Sequence, residues 1–400
     1  MNEILVTTAN RTFGKRGRAA DKALSADAIA LPAADAAALL DGADLTNDNK
    51  QPVEDVYLGI AWKAFVDRIP NALGEGAMKI DDGGRYAAAV NHPHYYLHHA
   101  NKRLFATRSQ IVANRVNGIR HAIVFGQGPG EVFAEQEALM LEQLPKLEEV
   151  TTIEFSQTFN DEAEAVVRAL SEKVGRPIKH NKITESFEKA ARNHPELLSP
   201  EKKLVINSGS TIMNLADVPG EFPRRELQSK LAMMKEMAGD EGFVLITYDS
   251  YREDKVPAKL AAYSTPEAKE LFLHAIDELA AKRPELTELK RENFEYIVEW
   301  DKDTFNAGQK LRVVHPIHIY LRYKGDHETI GTFRGMQEAG EDYQIINSFM
   351  PEIEEVEASA DEIGLSTVMT IEDETDNNYP TGFAMQLMKA KPKAPVPGVA

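Results

Sequence analysis

Between residues 121 and 249 the chain alternates between two hydrophobic periods, and few folds accept that alternation. Short apolar runs stand at HAIVF (121–125), VTTIEF (150–155), PIKHNKI (177–183), KLVIN (203–207) and GFVLITYD (242–249). The segments between them have helical spacing, most clearly EVFAEQEALMLEQL (131–144) and DEAEAVVRALSEKV (161–174). A run apolar on both faces suits a strand covered on both sides, and a helix that carries the chain back makes the next strand parallel. The expected fold is therefore α/β, with a parallel, doubly wound sheet. STVMTIEDE (366–374) and TGFAMQLMKA (381–390) are expected to complete the sheet as a terminal hairpin.

After Asp249 the alternation stops for about a hundred residues. PEAKELFLHAIDELAAKR (266–283) has helical spacing, and LRVVHPIHIYLRYKG (311–325) has the pattern of an antiparallel strand. Residues 250–350 are expected to form an inserted α+β lobe for substrate, with residues 1–105 contributing to it. Residues 106–249 would be the cofactor-binding domain, 351–390 its final helix and strands, and 391–400 a disordered Pro-rich tail. Val53–Ile69 shows helical spacing, 86–117 is polar and aromatic, and the acidic run 351–362 fits a solvated helix face.

The net charge of −17 disfavours nucleic acid and anionic membranes as partners, since both are polyanions. The absence of cysteine removes thiolate nucleophiles, disulfides and Cys-based zinc sites. No apolar signal core or run of about 18 apolar residues occurs, so a soluble, cytoplasmic protein acting on a small molecule is expected. The oligomeric state cannot be read from the sequence. His92, His94, His98 and His99 cluster without a carboxylate at ligand spacing, so no metal is expected there.

In HAIVFGQGPGEVF, Gly126, Gln127, Gly128 and Gly130 stand where a strand gives way to a helix. Glycine permits positive φ and close approach of a ligand to the backbone, and the helix start adds free N–H donors. The spacing is G-x-G-x-G, unlike the dinucleotide fingerprint, and Glu131 stands where a pyrophosphate would rest. A cofactor with a cationic sulfonium and an ammonium group fits better. Glu154, at the end of the second strand, is placed to bind two ribose hydroxyls. The loop could alternatively be a packing turn, with Glu154 a solvated strand end.

The stretch INSGSTIMNL (206–215) closes the fourth strand on small polar groups. Here the sequence resembles the histidine-specific, S-adenosylmethionine (SAM)-dependent methyltransferases that trimethylate the α-amino group of histidine in ergothioneine synthesis. Dimethylallyltryptophan N-methyltransferases share that family. The Gly-Ser-Thr-Ile-x-Asn turn is matched by Gly209, Ser210, Thr211, Ile212 and Asn214. HPHYY…TRSQIV, VLITYDSYRE, LAAYSTPEAKELFLHAIDEL, IHIYLRYK and GEDYQIINS extend the likeness in order over roughly residues 90–390.

The resemblance implies a class I SAM-methyltransferase fold, a Rossmann-like sheet carrying an inserted substrate lobe. It implies SAM contacts from the glycine loop, Glu154, Glu185, Ser186, Phe187, Ser208, Gly209 and Ser210, with Phe187 flanking the adenine. Asn214 and Tyr263 would hold the substrate's amino acid head, and Ser348 would line the side-chain pocket. Tyr95 or Tyr96 would face the amine, a tyrosine hydroxyl or water accepting its proton. Where histidine-using members place a glutamate two residues before that serine, this chain has Ile346, so histidine is not the expected acceptor.

The expected activity is SAM-dependent N-methylation of an amino acid or related small amine. Alternatives are N- or O-methylation of a non-amino-acid metabolite, or a non-catalytic binding protein on the same sheet. Asn214 as a helix cap, and Tyr95, Tyr96 and Tyr263 as core aromatics, are the corresponding structural readings.

Overall fold

The computed structural model describes residues 84–154, 156–214, 224–282, 290–300, 315–324, 342–374 and 380–391. The expected helix at Val53–Ile69, the first 83 residues and the tail from 392 lie outside them. Strands β1 (His121–Phe125), β2 (Glu149–Ile153), β3 (Lys179–Ile183), β4 (Lys203–Asn207) and β5 (Phe243–Asp249) run parallel. β9 (Leu365–Glu374) and β10 (Pro380–Ala390) form the expected hairpin, and β10 inserts antiparallel beside β5. The strand order is β3-β2-β1-β4-β5-β10-β9.

That order places a topological switch between β1 and β4, because the chain winds from β1 one way to β3 and then resumes on β1's other side. In such sheets the connections leave opposite faces at the switch and open a crevice beyond the carboxyl ends of the strands. The register makes that edge level: Phe125 lies opposite Ile153 and Asn207, and Ile153 opposite Ile183. Gly126, Glu154, Thr184 and Ser208 therefore follow at one height.

The central strands β1, β4 and β5 are buried on both faces. Ala122, Val124, Leu204, Ile206 and Leu245 join the core against α2 (Tyr96–Arg115) and α5 (Gln157–Val174). Ile123, Val205, Val244 and Ile246 join a second core under α7 (Arg224–Ala238), so each strand buries alternate residues on opposite sides. α1 (Gly84–Val90) precedes α2, and α6 (Phe187–Asn193) follows β3.

One expected element divides. The segment 131–144 forms two short helices, α3 (Gly130–Glu135) and α4 (Glu137–Glu142), with Gln136 between them at φ −125°, ψ −98°. Leaving the helical path lets the buried Gln136 amide reach Asn101 and His98, the latter at 2.8 Å, both on α2. The acidic run forms α10 (Ile353–Glu362), but its face is only partly solvated. Glu355 is buried and receives Arg224 Nε at 2.6 Å, while Val356, Ser359 and Ala360 pack inward.

The insertion carries α8 (Val256–Tyr263), α9 (Pro266–Lys282) and an antiparallel sheet β6-β7-β8 (Phe294–Trp300, His315–Tyr323, Asp342–Met350). Ile317, Ile319, Leu321 and Tyr323 alternate inward from β7 onto Leu271, Phe272, Ile276 and Leu279 of α9. α1 also packs on α9, tying the segment before the glycine loop to the lobe. The two ends of the insertion meet where the Tyr251 N–H donates to the Pro351 carbonyl at 3.0 Å, and the Ser250 N–H donates to Gly382 O at 2.7 Å.

At the opposite edge, β4 begins with Lys203, whose buried ammonium donates to the carbonyls of Ser199 (2.8 Å), Met237 (3.2 Å) and Glu201 (3.3 Å). Gly239, which follows α7, has φ +75°, and a Cβ there would lie 2.2 Å from the Glu201 carbonyl oxygen. Gly239→Ala should therefore destabilise the fold by about 2–3 kcal/mol, through overpacking against backbone and positive φ. Thermal unfolding should show a melting temperature lower by several degrees.

Candidate active site

The residues implicated by sequence gather in two adjoining groups at the carboxyl edge. The first surrounds the glycine loop. Gly126 (φ +60°) and Gly128 (φ +66°) take backbone conformations that side chains rarely adopt. A Cβ on Gly126 would stand 3.3 Å from the Phe187 ring, which also tilts against Phe125 at 4.7 Å between centroids. Gly130 serves packing instead: its N–H donates to Glu162 at 2.6 Å, and a Cβ would lie 2.7 Å from that residue's Cβ. Glu154 is buried facing the loop, Oε2 accepting from the Gly128 N–H and Oε1 from the Ser156 N–H, both at 3.3 Å.

The Gln127 amide donates to Asn160 at 3.2 Å. Asn160 also accepts the Thr152 hydroxyl at 2.8 Å and donates to the Ile183 carbonyl, joining the ends of β2 and β3. Ser186 caps α6, accepting from the Lys189 N–H at 3.1 Å, and Glu185 accepts from Asn193 at 3.2 Å. These two residues are occupied locally, and Phe187 is the member of the trio that reaches the loop.

The second group is built on the turn after β4 and on the inserted lobe. Gly209 and Ser210 both have positive φ, and their N–H groups donate to Thr247 Oγ1 (2.9 Å) and the Thr247 carbonyl (3.1 Å). Ser210 Oγ accepts from the Asp249 N–H at 2.6 Å, pinning the turn to β5. Asn214 ends a short 3-10 turn; its carbonyl accepts from Lys230 at 3.1 Å, while its side-chain amide makes no hydrogen bond to the described residues. The helix it could have capped, near Pro219, lies outside the described residues.

Tyr263, the last residue of α8, shares a 2.9 Å hydrogen bond with Ser348 of β8. Tyr95 meets the Tyr263 ring edge-on at 6.0 Å, and the Tyr296 hydroxyl donates to the Tyr263 carbonyl at 2.7 Å. Ile346 pairs with Ile319 in β8, but its side chain lies outside the described part of the structure. The Tyr96 hydroxyl donates to Asp249 Oδ1 at 2.7 Å. Burial, reinforced by neighbouring tyrosines and by Asp249, holds the Tyr95, Tyr96 and Tyr263 hydroxyls well above their ordinary pKa. They are neutral phenols at physiological pH, which narrows the expected proton-accepting role to orienting through a lone pair.

Several residues here had been assigned no role from the sequence. Asp249 and Lys259 form a wholly buried ion pair; the Lys259 ammonium also donates to the Ser250 carbonyl at 2.5 Å. Lys259 shares its helix face with buried Val256 and Ala262, and a lone lysine on an apolar stripe is the signal that could have found it. Tyr86 on α1 reaches Gly128, a Cβ there lying 4.0 Å from its ring. Burial, then Glu154 and Glu137, pushes the Tyr86 hydroxyl up to about 12. Glu137, wholly buried on α4, accepts the Ser208 hydroxyl.

Four buried acceptor oxygens around this edge have no hydrogen-bond partner among the described residues: Gln127 Oε1, Glu137 Oε2, Asn207 Oδ1 and Asp249 Oδ2. Leaving such an atom unsatisfied costs about 1–3 kcal/mol each, and all four require a donor or a cation. Elsewhere, a polar cavity of about 460 Å³ includes His121, Glu149, Thr151, Asn181 and Glu201 in its lining. It lies toward the amino ends of β1 to β3, and His121 is already bonded to Thr151 at 2.9 Å. No group of three or more His, Asp or Glu among the described residues could hold a metal, and no described helix is long and apolar enough to cross a membrane.

The family model described as "Histidine-specific methyltransferase, SAM-dependent" matches residues 82–383. This chain belongs to that family. The enzyme is thus a SAM-dependent methyltransferase, and its strand order is that of a Rossmann-like α/β fold. No curated protein sequence matches it. Among solved structures, it is similar to a SAM-dependent methyltransferase from Clostridium acetobutylicum, with 11% identity, TM-score 0.34, and 74% of this chain and 92% of that one covered. The CcbJ methyltransferase of Streptomyces caelestis gives 12% identity and TM-score 0.35, covering 71% and 90%. Magnesium protoporphyrin IX methyltransferase from Synechocystis, solved with S-adenosylhomocysteine, gives 8% and 0.36, covering 78% and 96%.

The environment of Glu137 makes a testable statement about pH. Burial raises its carboxyl from 4.5 to about 7, so the folded methyltransferase retains a proton that the unfolded chain releases between those values. Its contribution to stability therefore declines as pH rises through that window and remains unfavourable above it. Glu137→Gln should raise the melting temperature relative to wild type at pH 8 by several degrees, with little difference at pH 4.5. Melting curves across that range check it.

Proposed function

We propose that this methyltransferase transfers a methyl group to the amino nitrogen of an amino acid or a related small amine other than histidine. The observation that carries the reading is the meeting of three partly buried, neutral tyrosines, Tyr95, Tyr96 and Tyr263, at the end of β5, next to the strand whose following turn carries Asn214. Phenol oxygens and ring faces favour an amine, charged or neutral, and disfavour an anionic acceptor.

The donor side fits SAM. Gly126 and Gly128 let the backbone approach the ligand, Phe187 offers a ring for adenine, and Glu154 supplies paired acceptor oxygens for the ribose. The unsatisfied oxygens of Gln127, Glu137 and Asn207 suit the ligand's ammonium and sulfonium charges. Ser208, Gly209 and Ser210 shape the wall between donor and acceptor. Bound there, SAM supplies an electrophilic methyl group on a cationic sulfur.

The protein's own task is alignment. Asn214 and Tyr263 would grip the acceptor's head, Ser348 would border its side chain, and the tyrosines would turn the nitrogen lone pair toward the methyl carbon. Holding two reactants in line can supply on the order of 7–11 kcal/mol. Ile346 in place of the family's glutamate leaves no carboxylate for an imidazole, so an aromatic or aliphatic amino acid is the favoured acceptor.

Incubating the enzyme with SAM and a panel of amino acids and biogenic amines, followed by mass spectrometry, should give an N-methylated product. Methylation confined to hydroxyl or carbon acceptors would refute the reading. Asn214→Ala should lower kcat/KM by roughly 10- to 100-fold, the loss of one hydrogen bond to a charged group, while S-adenosylhomocysteine binds nearly as before. Equal loss of binding and turnover would assign the turn to the fold.

A further inference from the structure

Asp249 occupies the last position of β5, level with the tyrosine group, and none of its surface is exposed. Its two oxygens are treated unequally. Oδ1 accepts both the Tyr96 hydroxyl and the Lys259 ammonium, whereas Oδ2 is buried without a hydrogen-bond partner among the described residues. Lys259 is surrounded by three acceptors, Asp249 Oδ1, Ser250 O (2.5 Å) and Gly382 O (3.5 Å), the complement of an ammonium with three N–H bonds. That arrangement favours the ammonium, against the desolvation that pulls the lysine pKa down and the aspartate pKa up.

An ion pair needed only to hold α8 on the sheet would satisfy both carboxylate oxygens, because an orphaned one weakens the pair. Here the arrangement sacrifices Oδ2. The Tyr96 hydroxyl on Oδ1 places the carboxylate against the tyrosine cluster, in which neighbouring Tyr95 meets the Tyr263 ring.

We propose that Asp249 is the anchor for the acceptor amine: its free Oδ2 receives an N–H of the substrate, while Lys259 and Tyr96 hold Oδ1 and fix the carboxylate plane. This deepens the proposed N-methylation and rests on it. Lys259 and Tyr96 are positioning residues that act through Asp249. The assignment accounts for an acceptor oxygen left open among tyrosines, and it gives an amine that arrives protonated somewhere to leave one proton: Asp249 Oδ2 takes it, the neutral nitrogen's lone pair attacks the methyl carbon, and the sulfur–carbon bond breaks to leave S-adenosylhomocysteine.

A pair of ligands isolates the interaction without knowledge of the natural acceptor. Sinefungin carries an amine where SAM carries its methyl group, so its ammonium projects toward the acceptor side; S-adenosylhomocysteine has nothing there. Calorimetry should show wild type binding sinefungin about tenfold or more tighter than S-adenosylhomocysteine. Asp249→Asn combined with Lys259→Gln removes both charges and leaves neither uncompensated. This double variant should bind S-adenosylhomocysteine like wild type and lose the preference for sinefungin. If it fails to fold, the apolar pair Asp249→Leu with Lys259→Met, the kind of replacement that buried ion pairs tolerate best, is scored in the same way. Equal affinities in wild type, or a preference that survives either variant, would overturn the assignment. Neither result changes which atom is methylated, so product analysis tests the underlying reading separately.

Discussion

The contact between Lys259 and Asp249 ties the first helix of the inserted lobe to the central sheet and to the start of α2. Lys259 belongs to α8, Asp249 ends a central strand, the Gly382 carbonyl comes from β10, and Tyr96 opens α2. A buried pair of this kind contributes little net stability, since desolvation offsets most of the attraction, but losing one partner is severe. Its value is therefore geometric. It determines where the lobe's first helix docks on the sheet, and so where Tyr263 stands relative to Tyr95 and the turn after β4.

Around that point the site divides by chemistry. The side proposed for the donor is made of backbone and acceptors: two glycines with positive φ, a buried glutamate and amide oxygens unsatisfied among the described residues. The side proposed for the acceptor is made of phenols whose protons are locked on by burial. Ser210 belongs to both, its left-handed backbone shaping the turn while its hydroxyl secures Asp249. Displacing this serine would disturb donor and acceptor walls together.

The parallel strands were legible because a five-residue run such as HAIVF or KLVIN, apolar on both faces, has few other places to go. The glycine loop and Glu154 were legible because strand, turn and helix leave a local imprint. The division of 131–144 was not, since its cause is Gln136 bonding to α2, thirty-odd residues away in sequence. Lys259–Asp249 and Ser208–Glu137 escaped for the same reason: each residue looks ordinary alone, and only the winding of the sheet brings the partners together. Gly130, Glu185 and Ser186 carry the motif's residue types, yet their polar groups are engaged by neighbours. A motif specifies what chemistry is available, and packing decides which members remain free.

The hydrogen bond between Tyr251 and Pro351 lies at the neck of the inserted lobe. An insertion whose two ends leave the sheet side by side can change length or content without disturbing strand order or the donor crevice. Acceptor preference in this architecture is thus free to diverge as a cassette, under one continuing requirement: whatever replaces the lobe must again offer a cation to the aspartate at the end of the fifth strand.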